Sequence, residues 1–176
     1  CMKRRAFSLV LVILAAGVLL LGGGSSAKAG VEDFSFKSFE ADYYLTRDDQ
    51  NVSQLKVVEK LVAVFPDYDQ NRGLRRAIPE KYKGKDNNIK VISVTDGGGK
   101  ARAYETASSN DNLIVSIRSD GYLYGEQEYL ITYTVRDAIS FEASQDEWYW
   151  DVNGDQWSQA FNGVVARAHV PADLSR

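Results

Sequence analysis

From Val31 onward, hydrophobic residues alternate with polar ones at a period of two, the pattern of strands that bury one face. Phe34 and Phe36 share one parity, whereas Phe39, Ala41, Tyr43 and Leu45 share the other. An extra residue must be absorbed between the two sets, so the pattern predicts a bulge near Lys37-Ser38. Leu55, Val57, Leu61, Ala63 and Phe65 alternate with Gln54, Lys56 and Lys60 in a second strand. The polar run Arg47-Asp48-Asp49-Gln50-Asn51 between the two predicts a hairpin. Further strands are expected at Ile89, Val91 and Ser93 and at Leu113, Val115 and Ile117. The cleanest is Tyr129, Ile131, Tyr133 and Val135, and the last is Val164, Ala166, Ala168 and Val170, ending at Pro171.

Turn signals separate these runs at Asp67 to Gly73, Gly84 to Asn88, Asp96 to Gly99, Ser108 to Asn112, Asp120-Gly121 and Asn153-Gly154. There is no internal repeat, and no amphipathic helical stretch interrupts the strands. The expectation is one all-β domain over residues 30–172, an antiparallel β-sandwich.

The first 29 residues follow a different pattern. Lys3, Arg4 and Arg5 precede the apolar run Ala6 to Leu21, and Ala27-Lys28-Ala29 supplies the small residues of a cleavage site before Gly30. As a helix the run spans about 24 Å, or about 28 Å if extended to Gly24, against a hydrocarbon core of about 30 Å. Residues 1–29 are therefore expected to be a signal peptide or a signal-anchor helix, placing the rest outside the cytoplasm. Cys1 precedes Met2 and reads as an extra residue ahead of the start. No cysteine follows the apolar run, so neither lipid attachment nor disulfides are expected there. Without Lys3, Arg4, Arg5 and Lys28, the 21 basic residues fall to 17 against 24 acids, a net of −7. Nucleic acid and anionic lipid are poor partners for that charge.

Cysteine and histidine usage narrows the chemistry. His169 is the one histidine and falls on the polar side of its strand. Zinc and nucleophile–base pairs thus lack ligands, and neither a metal nor a cofactor is expected. Asp67-Tyr68-Asp69-Gln70-Asn71-Arg72-Gly73 begins like a calcium loop, but its Gly arrives late and Ile78 stands where Glu is needed. Gly97-Gly98-Gly99-Lys100 lacks the spacing of a phosphate loop. Asn51-Val52-Ser53 fits the glycosylation sequon. Glu59 falls on the apolar face of its strand and needs a partner there. The run Arg72-Gly73-Leu74-Arg75-Arg76 offers Arg75 or Arg76 for a structural ion pair.

All three tryptophans, Trp148, Trp150 and Trp157, fall between Phe141 and Phe161, with Tyr149, Glu142, Asp146, Glu147, Asp151 and Asp155 interleaved. The simplest reading places Trp148 and Trp150 in the core, with Tyr149 and Asp151 facing solvent. The sharper one makes Asp146, Glu147, Trp148, Tyr149, Trp150, Asp151 and Trp157 a binding surface. Sugar rings stack on aromatic faces, and carboxylate pairs hydrolyse glycosides. Exposure of the rings separates the two.

Four runs together resemble a known family. They are Glu59 in its strand, Arg72 to Pro79, Tyr129 to Val135, and Asp146-Glu147-Trp148-Tyr149-Trp150-Asp151-Val152-Asn153-Gly154-Asp155-Gln156-Trp157. In this order they are similar to the domain of unknown function 2207, a family of predicted bacterial membrane proteins, over roughly Phe34 to Pro171. The resemblance implies an extracytoplasmic β-sandwich followed by a transmembrane helix, so residues 173–176 are expected to mark a truncation point. It implies no catalytic residue. The expected function is a non-enzymatic extracytoplasmic interaction or sensing module, in contact with an unidentified protein or a cell-envelope glycan. Its membrane attachment would be the N-terminal segment or that missing helix, and its contact surface Trp148 to Trp157 together with the Asp67 to Arg76 turn. The alternative is cell-wall glycan binding or glycoside hydrolysis through Asp146, Glu147 and Asp151.

Overall fold

A computed structural model describes residues 30–82, 84–141 and 146–171. The export segment at 1–29, Glu142 and the tail at 173–176 lie outside the described residues. No helix occurs among the described residues. The strands are β1 (Ser35–Arg47), β2 (Ser53–Phe65), β3 (Gly73–Pro79), β4 (Lys81–Tyr82), β5 (Lys85–Asp86), β6 (Ile89–Thr95), β7 (Ala103–Ser109), β8 (Asn112–Arg118), β9 (Gly125–Arg136), β10 (Ile139–Phe141), β11 (Asp146–Trp148) and β12 (Val164–His169). They form a five-stranded sheet in the order β12-β1-β2-β9-β6, a three-stranded sheet β3-β8-β7, and two short ribbons, β4-β5 and β10-β11.

The long hairpin forms as the alternation predicts. The β1–β2 register shifts between Phe36 and Ser38, so Phe36 and then Phe39, Ala41, Tyr43 and Leu45 all turn inward. In the turn, Asp48 Oδ1 accepts the backbone N–H groups of Gln50 and Val52, and Arg136 Nε donates to its Oδ2 at 2.8 Å. The Arg136 bond is the main reason the Asp48 carboxyl lies below the usual range. β9 then lays Tyr129, Ile131, Tyr133 and Val135 opposite Leu61, Glu59, Val57 and Leu55.

The inner faces of the two sheets share one core. Leu74 and Ile78 of β3 and Val115 and Ile117 of β8 join the buried residues of β1, β2 and β9 in a single cluster. This is the all-β, two-sheet arrangement that the strand pattern implies.

Among the strands of six residues or more, three depart from the sequence reading. β3 and β7 are strands where no strand was expected. β3 continues straight out of the Asp67–Gly73 turn, and β7 exposes every residue, so it carries no alternation to detect. The last strand is the third departure. β12 runs parallel to β1, with Val164 opposite Phe39 and Ala168 opposite Tyr43. It is an edge strand with every residue exposed, Val164 at 46%, so its Val/Ala alternation does not mark a core face. On its other face, His169 Nε2 lies 2.8 Å from Asp42 Oδ1 and its ring stacks on Tyr44.

Candidate functional site

Parity alone places Glu59 in the core, between Val57 and Leu61 on the inner face of β2, and it is 0% exposed. A carboxylate in that position stays ionised only if opposite charge and hydrogen bonds replace the lost water. Arg76 supplies them from the other sheet, standing between Leu74 and Ile78 on the inner face of β3, also at 0%. Its Nε donates to Glu59 Oε2 and its Nη2 to Oε1, each at 2.8 Å, a two-pronged contact. Tyr133 Oη donates to Oε1 at 2.8 Å. Arg75, one residue earlier, has the opposite parity and is exposed. Of the two arginines the sequence offered, Arg76 makes the pair.

The rest of the guanidinium fastens a loop. Nη1 donates to Ala77 O and Asn153 O at 2.8 Å, and Nη2 to Val152 O at 3.4 Å. All five guanidinium hydrogens are thereby used. Tyr43 Oη donates to the same Val152 carbonyl, and Trp157 Nε1 to Asn153 O at 2.7 Å. Burial works against the Arg76 charge, but the adjacent Glu59 outweighs it and the pKa is raised. Burial first and the Glu59 charge second push both the Tyr133 and Tyr43 phenols above their ordinary value. The centre is a buried ionic clamp between two sheets and the 152–154 loop. Its donors are saturated and its oxygens sealed from solvent.

The aromatic-acidic segment divides in two. Trp148, Trp150 and Trp157 are half-buried and pack against the core. The Trp148 ring lies 5.3 Å from Tyr43, Trp150 lies 6.2 Å from Tyr133, and Trp157 lies 4.8 Å from Phe36. The indole nitrogens of Trp148 and Trp150 are buried without a hydrogen-bond partner. Tyr149 points the other way, is 54% exposed, and stacks on Tyr82 with ring centroids 4.5 Å apart. Tyr82 Oη donates to Glu147 Oε1 at 3.2 Å. Asp151 is half-buried, and its Oδ1 accepts Gly154 N–H. Tyr82, Tyr149, Trp150 and Asp151 border a shallow cleft of about 190 Å³. Asp146 pairs with Phe141 in the β10–β11 ribbon. The Asp67–Arg76 turn does not join this surface. Its Asn71 to Arg75 portion meets Gln156 and Trp157 around a different, larger cleft.

Tyr43, Tyr133, Tyr82 and the Asn153 carbonyl were not foreseen as parts of these sites. The signal for Tyr133 was present, because a tyrosine at a core parity needs a partner for its hydroxyl and Glu59 was a buried acceptor; Tyr43 finds the Val152 carbonyl instead. Nothing in the sequence marks Tyr82. Among the described residues, no group of three or more His, Cys, Asp or Glu is placed to hold a metal. No described helix is long and apolar enough to cross a membrane.

An all-β module with a sealed ionic clamp and an aromatic surface is thus defined. The family model of the domain of unknown function 2207, described as a predicted membrane protein N-terminal domain, matches residues 35–175. The chain belongs to that family. No curated protein matches it by sequence. Among solved structures it is similar to native leukotriene A4 hydrolase from Saccharomyces cerevisiae, at 9% identity and TM-score 0.48 over 84% of this chain and 26% of that one. It is also similar to an M1 zinc metallopeptidase from Deinococcus radiodurans, at 9% identity and TM-score 0.37 over 61% of this chain and 22% of that one. This chain therefore spans about a quarter of their length, and likeness of this degree carries no chemistry across.

Proposed function

We propose that this chain is the non-enzymatic, extracytoplasmic interaction or sensing module of a membrane-associated protein. The observation that carries this reading is the division of the aromatic-acidic segment. Glu59 and Arg76 are spent on each other in the buried clamp, while the tryptophans pack against the core. What reaches solvent is Tyr149 on Tyr82, with Glu147 and Asp151 beside it. Large amphipathic rings held rigid by a stack suit recognition, since they give contact area at low entropic cost. The clamp holds the 152–154 loop, and so this surface, in one geometry. The predicted-membrane-protein description of the family and the basic-apolar N-terminus support the location.

The exposed Tyr149 face beside carboxylates also favours a second reading, glycan binding at this surface rather than at the tryptophans. One assay pair separates the readings. The chain is incubated with purified cell-wall glycan, and new reducing ends are counted. An interaction module yields none above blank, whereas release that disappears in Glu147→Gln or Asp151→Asn would overturn the non-enzymatic reading. A thermal shift with soluble glycan fragments, lost in Tyr149→Ala, would identify the partner as glycan. No shift would leave a protein as the partner.

A further inference from the structure

The larger cleft, about 660 Å³ and half open, runs beside β3. Its lining includes the accessible apolar side chains of Val31, Phe34 and Trp157 and three guanidinium groups, those of Arg72, Arg75 and Arg118. The single acid among the lining residues is Glu32, so the lining carries +2 in a chain whose whole carries −3. Glu32 is already engaged, accepting from Ser158 Oγ and Gln159 Nε2 at 2.8 Å each. Among the described residues, Arg72 and Arg75 make no ion pair, and Arg118 reaches Glu105 only at 3.9 Å. Arg72 lies over the Tyr122 ring, 4.3 Å from its centroid, but among the described residues none of the three is closed in a short ion pair, on a protein that is otherwise acidic.

The backbone beside them is unspent as well. Among the described residues, β8 is the only sheet partner of β3. Ser119 N–H donates to Arg72 O, and Glu80 N–H donates to Asp111 O. With the register running from Gly73 opposite Arg118 to Pro79 opposite Asn112, the even-numbered residues bond β8. The odd-numbered residues direct their N–H and C=O groups away from it. The Ala77 carbonyl is taken by Arg76. Gly73 and Arg75, both on the cleft lining, keep theirs unpaired by β8.

We propose that this cleft binds an extended acidic segment of another protein, laid along β3 as an added strand. Its carboxylates meet Arg72, Arg75 and Arg118, and its alternate apolar side chains rest on Val31, Phe34 and Trp157. A strand added to an edge gains affinity from main-chain hydrogen bonds and specificity from every second side chain. A free phosphate or a lipid headgroup would engage the arginines but leave the backbone groups and the apolar lining unused. The proposal rests on the chain being a binding module, but not on the Tyr149 surface, which lies at a different cleft.

The test is a fluorescence-anisotropy titration of the 176-residue chain against a labelled decapeptide of alternating glutamate and leucine. Saturable binding in the micromolar range is expected, weakened about tenfold or more in Arg75→Glu/Arg118→Glu. Lys56→Glu/Lys90→Glu, exposed on the other sheet, should leave it unchanged. The same peptide N-methylated at every residue loses the main-chain bonds in either strand orientation and should not bind. The proposal is overturned by no saturable binding, by equal binding of the Arg75→Glu/Arg118→Glu chain, or by equal binding of the N-methylated peptide. Full competition by millimolar inorganic phosphate would equally replace it with a simple anion site. Reducing-end release in the glycan assay would end the module reading without altering this titration.

Discussion

A Cβ added to Gly154 would stand 2.8 Å from Arg76 Nη1, and Gly154 itself holds φ at +76°. The turn that carries Asn153 O to the guanidinium therefore excludes every side chain twice, by space and by backbone. Because the Arg76 fork is fixed on Glu59, it cannot swing aside without breaking a buried ion pair.

Gly154→Ala should lower unfolding free energy by about 1–3 kcal/mol, with strain and clash acting together. Gly121→Ala is the control, because its added Cβ meets nothing within 4 Å. Urea unfolding of the two variants is expected to separate them clearly, with Gly121→Ala close to the parent.

Breaking the clamp from one side strands a buried charge. Glu59→Leu or Arg76→Met should each cost about 3–5 kcal/mol. Glu59→Leu combined with Arg76→Met removes both charges and should recover part of that loss. Recovery stays incomplete because the carbonyls of Ala77, Val152 and Asn153 lose their donor. A double-mutant cycle by chemical denaturation measures the coupling, and additive losses would contradict the clamp.

Trp148→Ala and Tyr149→Ala should differ sharply although the residues are adjacent. The half-buried Trp148 packs on Tyr43, and its removal should cost about 2–4 kcal/mol. The exposed Tyr149 gives up only its stack on Tyr82, within about 1 kcal/mol. Thermal melts of the two variants check the assignment of core and surface roles.

Alkaline pH should unfold the chain through its buried tyrosines. Burial raises the pKa of Tyr133 and Tyr43 above the ordinary 10.0, and it pushes Tyr129 up to about 12. Below pH 10 both folded and unfolded states keep these protons, and stability is at its full value. Above it the unfolded chain releases protons that the folded chain retains, so stability falls as pH rises and is lost through the folded pKa values. Melting temperature is expected to hold to about pH 9 and drop by about pH 11, with phenolate absorbance rising at the unfolding step.

Much of this fold was legible because its longest strands bury one face and expose the other. The Phe36/Phe39 parity switch marked the bulge to within one residue, and Glu59 announced a buried partner by standing among valines and leucines. Arg75 and Arg76 could not be told apart, because β3 was hidden in what read as a turn, and strand parity is what decides between neighbours. β7 left no trace, since a strand exposed on both faces has no alternation. β12 misled for the opposite reason, because small and branched residues alternate there with no sheet to cover them. Tyr82 lay beyond any local pattern, since its contact with Tyr149 joins segments far apart in sequence.

The central claim is that recognition occurs at the Tyr149–Tyr82 surface. It is tested most directly by placing a benzophenone amino acid at position 149 in cells and irradiating, with position 44, an exposed tyrosine on the other face, as control. The account predicts a discrete adduct from position 149, on protein or glycan, and none from position 44. Equal labelling at both positions, or none from 149, would contradict it.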